Sequence, residues 1–441
     1  MGGVGGGRIT YHLSPITSSG TGTGTGTGTE TGTGVRQLEC GSRYDGGMSR
    51  VVTGLELLVS SPEVVGNRPW VLLSNHAAVT AELEPARAVL RQAVPGPLLH
   101  LLAPEHGLEG VAQDMEAVDD ARDPLTGLAV RSLYGHDAAT LEPQSGDLEG
   151  AAAVVVDLPD IGCRYYTFAA TMDAVMAACA REGVEVVVLD RPNPIGGVAR
   201  EGGPVRAGFA SFVSRLPTPV RHGLTLGELA LLLQRERYPG LELTVVTCRG
   251  WRRSWWWDST GLPWVPPSPN MPSLETAALY PGLCLVEATT LSEGRGTTRP
   301  FHLVGAPGLD AETLTRRLRA LAPPGTAFRA ARFRPAFGKH AGELCGGVEI
   351  HLTDRAALRP LELGLSLLQA VRAVDPERFA WRAEPYEFVG EVPAIDLLTG
   401  STEAREAIDT ARSLSALLEG WRSSVADFEA TLPGILLYHE R

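Results

Sequence analysis

A short acidic motif stands directly after an apolar run: Leu98–Ala103 (LLHLLA) leads into Pro104-Glu105-His106-Gly107. A carboxyl at the end of a buried strand is partly withdrawn from water. Withdrawal raises its pKa, so it stays protonated and can act as a general acid. Glu105 is therefore the leading catalytic candidate, and a helix-capping carboxylate is the competing role. Asp160 is the next carboxylate, in Asp157-Leu158-Pro159-Asp160, and Gly162-Cys163-Arg164-Tyr165-Tyr166-Thr167 follows closely. Asp160 suits three tasks: orienting a water, binding a hydroxyl, or pairing with Arg164. His106 and His222 are candidate hydrogen-bond donors, and each alone also fits a satisfied structural histidine. Leu291–Phe301 (LSEGRGTTRPF) sets Glu293, Arg295 and Arg299 among Gly and Thr, as an anion- or sugar-binding loop would. In Lys339–Gly347 (KHAGELCGG), Lys339 and His340 are placed to meet a carboxylate, with a Gly-rich hairpin as the alternative.

Many of these residues share a position in the pattern of elements. Trp70–Ser74, Leu98–Ala103, Val154–Asp157, Glu185–Asp190 and Leu241–Thr247 are short apolar runs. Helical stretches lie between them, among them Phe168–Arg181 and Thr225–Arg235. Such alternation indicates a parallel sheet covered on both faces. The expected fold is α/β: a doubly wound, Rossmann-like domain over about 50–277, then a smaller α+β domain over 278–441. The strands end in Ser74-Asn75-His76, in Pro104-Glu105-His106, in Asp157-Leu158-Pro159-Asp160 and in Asp190-Arg191-Pro192-Asn193-Pro194. Ligands of open α/β sheets bind beyond the carboxyl ends of the strands, so these loops should converge on one site. That adds Asn75 and Asn193 to the candidate contacts, although Asn, Asp and Pro are also what turns need.

Several chemistries are excluded. No G-x-G-x-x-G follows the first strand, which disfavours a nicotinamide or flavin, and no cofactor is expected. No phosphate-binding P-loop and no G-x-S-x-G elbow occurs. The six cysteines are scattered without metal-ligand spacing, so buried free thiols are expected rather than a zinc site. The net charge of −12 offers no basic excess for nucleic acid or anionic lipid. No apolar run reaches the length of a transmembrane helix, and the first residues lack a signal-peptide core. The chain as written is expected in the cytoplasm; a misassigned start codon would leave room for export. Residues 19–34 repeat Gly and Thr, and roughly 1–48 is expected to stay outside the fold. Carboxylates, Tyr, Arg, Asn and His remain, an inventory suited to acid/base work on a polyhydroxylated substrate. One oddity stands out: of 39 basic residues only Lys339 is a lysine.

The motifs PEHG (104–107), SLYG (132–135), DLPDIGCRYYTF (157–168), LDRPNP (189–194), RHGLTLGE (221–228), SPNMP (268–272), LSEGRGTTRPF (291–301), KHAGELCGGVEIHLTD (339–354) and PAIDLL (393–398) occur in this order. Together they resemble the exo-β-N-acetylmuramidase family of glycoside hydrolases, long known only as a domain of unknown function. The resemblance spans roughly 51–441. It implies removal of a terminal, non-reducing N-acetylmuramic acid from peptidoglycan fragments, a small carbohydrate substrate. It places the family's proposed catalytic glutamate on Glu105. It also implies a cleft between the two domains, where Tyr165, Tyr166, Thr167 and Asn270 join the candidate contacts. The second catalytic player would be Asp160 through water, or the substrate's own acetamido group. Arg164, Arg295 and Lys339 are the candidate cations for the lactyl carboxylate. The resemblance leaves open hydrolysis of another amino-sugar glycoside and non-catalytic muropeptide binding.

Overall fold

The continuous apolar runs become parallel strands because both of their faces are buried. The computed structural model describes residues 30–31, 35–38 and 50–440. One sheet contains β1 (Glu30–Thr31), β2 (Val35–Leu38), β3 (Trp70–Ser74), β4 (Leu98–Ala103), β5 (Ala121–Arg122), β6 (Ala129–Ser132), β7 (Ala153–Asp157), β8 (Glu185–Leu189) and β9 (Leu243–Val246). Its order is β1-β2-β9-β8-β7-β3-β4-β6-β5. Every pairing from β2 across to β6 is parallel, and β1 and β5 add antiparallel edges. From β3 the chain winds outward through β4 to β6, then returns beside β3 and winds the other way through β7, β8 and β9. The order therefore reverses between β3 and β7, as in doubly wound folds.

Alternate strand residues feed two separate cores. Leu72, Val155 and Val187 pack with Leu55, Leu58 and Leu90 from the helices Gly54–Ser60 and Ala86–Ala93. Val71, Leu73, Val154, Val156, Val186 and Val188 face the helices Phe168–Glu182 and Leu226–Arg237 on the other side. The start of the latter helix is fixed by a capping box in which Thr225 and Glu228 exchange hydrogen bonds.

The second domain is built on an antiparallel sheet of β10 (Leu303–Pro307), β11 (Thr326–Phe333) and β12 (Cys345–Leu352), in the order β10-β12-β11. The helices Ala311–Leu321 and Pro360–Val374 cover it. The expected boundary at 277/278 falls inside the helix Leu274–Leu283. That helix crosses Pro360–Val374 so closely that a Cβ on Gly282 would lie 1.7 Å from the Pro360 carbonyl oxygen. Glycine is required there.

Most of the expected tail lies outside the described residues. Val35–Leu38 corrects that expectation, since it pairs in parallel with Leu243–Val246 and extends the sheet. Strand β10 is not apparent in the sequence; its residues Leu303–Pro307 contain a glycine and end in proline, which masks the alternation. Cys163, Cys179, Cys248, Cys284 and Cys345 are free and buried; Cys40 lies outside the described residues. Among the described residues no helix is long and apolar enough to cross a membrane.

Candidate active site

β4 buries Leu101, Leu102 and Ala103, then delivers the chain to the sheet's carboxyl edge at Pro104. The Gly107 amide closes a turn onto the Pro104 carbonyl at 3.0 Å. His106 takes φ +70° and Gly107 φ +76°. A left-handed histidine is an uncommon, costly conformation, and its ring holds it in place. Nδ1 lies 2.9 Å from the Ala112 carbonyl, and the imidazole meets Phe168 edge-on. The turn points Glu105 inward, where it is 5% exposed. Its Oε1 accepts from the Met115 amide at 3.1 Å, and its Oε2 accepts from the Thr167 hydroxyl at 2.7 Å. Thr167 stands immediately before the helix Phe168–Glu182, so β4 and the β7 crossover fix the carboxyl jointly.

Glu105 opens onto a cavity between the two domains. Of the expected residues, His106, Tyr165, Tyr166, Thr167, Asn270 and Arg295 line it with Glu105. The Tyr165 hydroxyl donates to the Pro281 carbonyl across the domain junction. Tyr166 packs between Phe168 and Tyr280. Asn270 donates to the Gln113 side chain at 2.8 Å. The Trp/Pro-rich stretch before it is anchored by Asn75 and His76, which bond the carbonyls of Pro267 and Pro266.

Four carboxyls share the cavity: Glu105, Asp114, Glu287 and Glu387. Among the described residues, Arg295 is the one Lys or Arg side chain that faces them. Its Nη1 donates to Glu287 Oε1 at 2.7 Å, its Nε lies 3.2 Å from Asp114 Oδ1, and its guanidinium rests over the Phe301 ring. Glu287 also accepts from the Tyr386 hydroxyl at 2.8 Å. Burial raises the Glu287 pKa despite Arg295. Glu387 comes from the far end of the chain in a left-handed conformation, φ +47°. The Tyr134 hydroxyl donates to its Oε2 at 2.8 Å. Burial first, then the charge of Glu105, pushes the Glu387 carboxyl well above the usual carboxylate range. This follows from several carboxyls sharing one low-dielectric space.

Several expected contacts are instead structural. Arg164 is fully buried, with its guanidinium donating to the carbonyls of Gly203, Thr218 and Leu398. It clamps three segments and has no surface for a substrate carboxylate. Lys339 does not line the cavity. Its three ammonium donors meet Val286 O at 3.2 Å, Glu287 O at 3.1 Å and Glu293 Oε2 at 3.1 Å. Glu293, also near Arg295 at 3.4 Å, is a buried carboxylate. Burial would raise its pKa, but Lys339 and Arg295 together hold it below the usual range. His340, at φ +56°, bonds the Thr290 carbonyl. The KHAG segment thus braces the Arg295 loop from behind. Asn193 donates to Leu224 O at 2.9 Å and accepts from the Ile195 amide, forming an internal turn. His222 is fully buried and accepts from the Leu224 amide at 3.1 Å.

Asp160 does not line the Glu105 cavity. It accepts from the Gly162 amide at 2.7 Å, lies 3.7 Å from His222 Nε2, and lines another pocket with Arg191, Trp257 and Trp264. Arg191 is itself tied to Asp157 at 2.6 Å. The expected convergence of the strand-end loops therefore divides between two pockets. Among the described residues no group of three His, Cys, Asp or Glu is placed to hold a metal ion.

Sequence reasoning misses Asp114, Tyr134, Glu287, Tyr386 and Glu387. Tyr134 stands in the SLYG motif, which carries no evident role in the sequence. The other four lie in stretches without strong periodicity, and Glu387 is more than 280 positions from Glu105 in the chain.

Family models describe the same two-domain division. The N-terminal model of exo-β-N-acetylmuramidase NamZ matches residues 71–275, and the C-terminal model matches 278–438. The curated peptidoglycan β-N-acetylmuramidase NamZ of Bacillus subtilis is 37% identical over 391 residues, covering 88% of this chain and 92% of that protein. Two solved DUF1343 family proteins of Bacteroides fragilis share the fold. One superposes with TM-score 0.80 at 33% identity, the other with 0.70 at 27%; each match covers 89% of this chain and all of the other. These matches make the chain a glycoside hydrolase. It belongs to the exo-β-N-acetylmuramidase NamZ family.

Proposed function

We propose that this protein releases terminal, non-reducing N-acetylmuramic acid from peptidoglycan fragments, with Glu105 as the general acid. The observation that carries this reading is the placement of Glu105, a buried carboxyl held by two fixed donors at the edge of an interdomain cavity. A rigid carboxyl at the edge of a cavity can be aligned with a glycosidic oxygen. Glu105 protonates that oxygen as the C1–O bond breaks. Tyr166, Thr167 and Asn270 supply polar edges and a wall for the sugar. Arg295, alone of the three candidate cations, lines the cavity and is the partner for the lactyl carboxylate.

The test is release of chromophore from a 4-nitrophenyl β-N-acetylmuramide by the folded protein between pH 5 and 8. Hydrolysis is expected, and its absence sinks the reading. The carboxyl-rich cavity favours one second reading, hydrolysis of an uncharged amino-sugar glycoside, because four carboxyls repel an anionic ligand. Faster turnover of the corresponding N-acetylglucosaminide than of the muramide would select it.

A further inference from the structure

Glycoside hydrolysis usually employs a second carboxyl, and Asp160 lines a different pocket from Glu105. The candidates in the right pocket differ in how far they are already committed. Glu287 has one oxygen on Arg295 and the other on Tyr386. Asp114 pairs with Arg295. Among the described residues, Glu387 receives a single donor, the Tyr134 hydroxyl on Oε2.

We propose that Glu387 is the second catalytic carboxyl: it holds the proton that Glu105 will deliver, and later takes one from the attacking water. The proposal rests on the glycosidase reading above. The charged and titratable groups around the cavity that holds Glu387 are Glu105 and His106 beyond β4, Asp114, Tyr134 beyond β6, Tyr165, Tyr166, Tyr280, Glu287, Arg295 and Tyr386. Glu105, Asp114, Glu287 and Glu387 outnumber Arg295, so the cavity keeps a proton on its least compensated member. Burial and the Glu105 charge push the Glu387 carboxyl up accordingly, and the Tyr134 hydrogen bond opposes that rise.

The proton cycle closes on these groups and water. Glu387 passes its proton through a water to the Glu105 carboxylate, leaving Glu387 ionised. Glu105 gives that proton to the glycosidic oxygen as the C1–O bond breaks with its electron pair. A water oxygen then bonds to C1 while Glu387 takes the water's proton. The products are free sugar and alcohol; Glu105 is again a carboxylate and Glu387 again carries the proton. No outside acid or base is consumed.

Two variants test the proposal through the alkaline limb of kcat/KM on the aryl muramide. Glu387→Gln should lower kcat at least ~10²-fold with KM changed only a few-fold. It should also move the alkaline limb toward lower pH, because the carboxyl whose proton affinity is raised is gone. Tyr134→Phe should move the limb the opposite way, because it removes the donor that favours ionised Glu387. A limb that stays in place in either folded variant overturns the proposal, whatever happens to kcat. If Glu387→Gln does not fold, the direction of the shift in Tyr134→Phe is decisive by itself. Wild-type protein that leaves the muramide intact would instead overturn the glycosidase reading itself, so the two failures are distinguishable.

Discussion

Two pockets lie at the carboxyl edge of the same sheet, one around Glu105 and one around Asp160. The Asp160 pocket lies between the loops that follow β3 and β7, where the strand order reverses and where doubly wound folds usually bind ligands. It is nevertheless walled by Trp257, Trp264 and several prolines. The Glu105 pocket lies to one side, but the second domain contributes Glu287, Arg295, Tyr386 and Glu387 to it. Strand-end position alone therefore does not make a site here. The density of ionisable groups comes from the docking of the second domain.

The contrast between the pockets breaks most visibly at Glu105. Glu105→Gln should lower kcat on the aryl muramide at least ~10²-fold with the melting temperature nearly unchanged. Activity within a few-fold of wild type would remove Glu105 from the acid's role. Arg295→Met comes next. It strips Glu287 and Asp114 of their shared cation, and breaking a buried pair in this way costs about 3–5 kcal/mol. A lower melting temperature and a higher KM for the muramide are expected, with a smaller change in KM for an uncharged glycoside. Equal changes in both KM values would show that Arg295 does not read the lactyl group. Lys339→Arg is smaller again. Three acceptors surround one ammonium, and a planar guanidinium cannot donate to all three from the same point. A loss of about 1–2 kcal/mol, read as a melting shift of a few degrees, is expected. Asp160→Asn is the least disruptive, with kcat/KM within roughly threefold of wild type, because its main hydrogen bond from Gly162 survives in the amide. A hundredfold loss there would return the Asp160 pocket to the chemistry.

Alkaline pH probes the same contrast. The raised Glu387 carboxyl keeps its proton beyond the usual carboxylate range, and activity that depends on it is lost as pH rises through the shifted value. An alkaline limb lying within the ordinary carboxylate range would remove the shared proton from the mechanism.

Legibility in the sequence follows the range of the interactions. β3, β4, β7 and β8 are readable because each is a continuous apolar run. The capping box at Thr225–Glu228 is readable because it closes within four residues. Glu105 stands out because the strand end that exposes it is local. Arg164 is misleading because nothing nearby in sequence reveals that Gly203, Thr218 and Leu398 will enclose it. Lys339 is conspicuous as the lone lysine, but its task is to brace the Arg295 loop rather than to meet substrate. Glu387 is invisible because its partner Tyr134 is 253 residues away.

The amino-acid order by itself determined the doubly wound sheet, the two-domain division and the emergence of Glu105 at a strand end. Periodicity and strand-end chemistry act over a few residues, so they are written into any short window. Tertiary structure alone decided which carboxyls share a cavity, which arginine faces them and which polar residues are consumed by backbone carbonyls. Those outcomes depend on desolvation and on charges a few ångströms apart in space, quantities that separation along the chain does not encode.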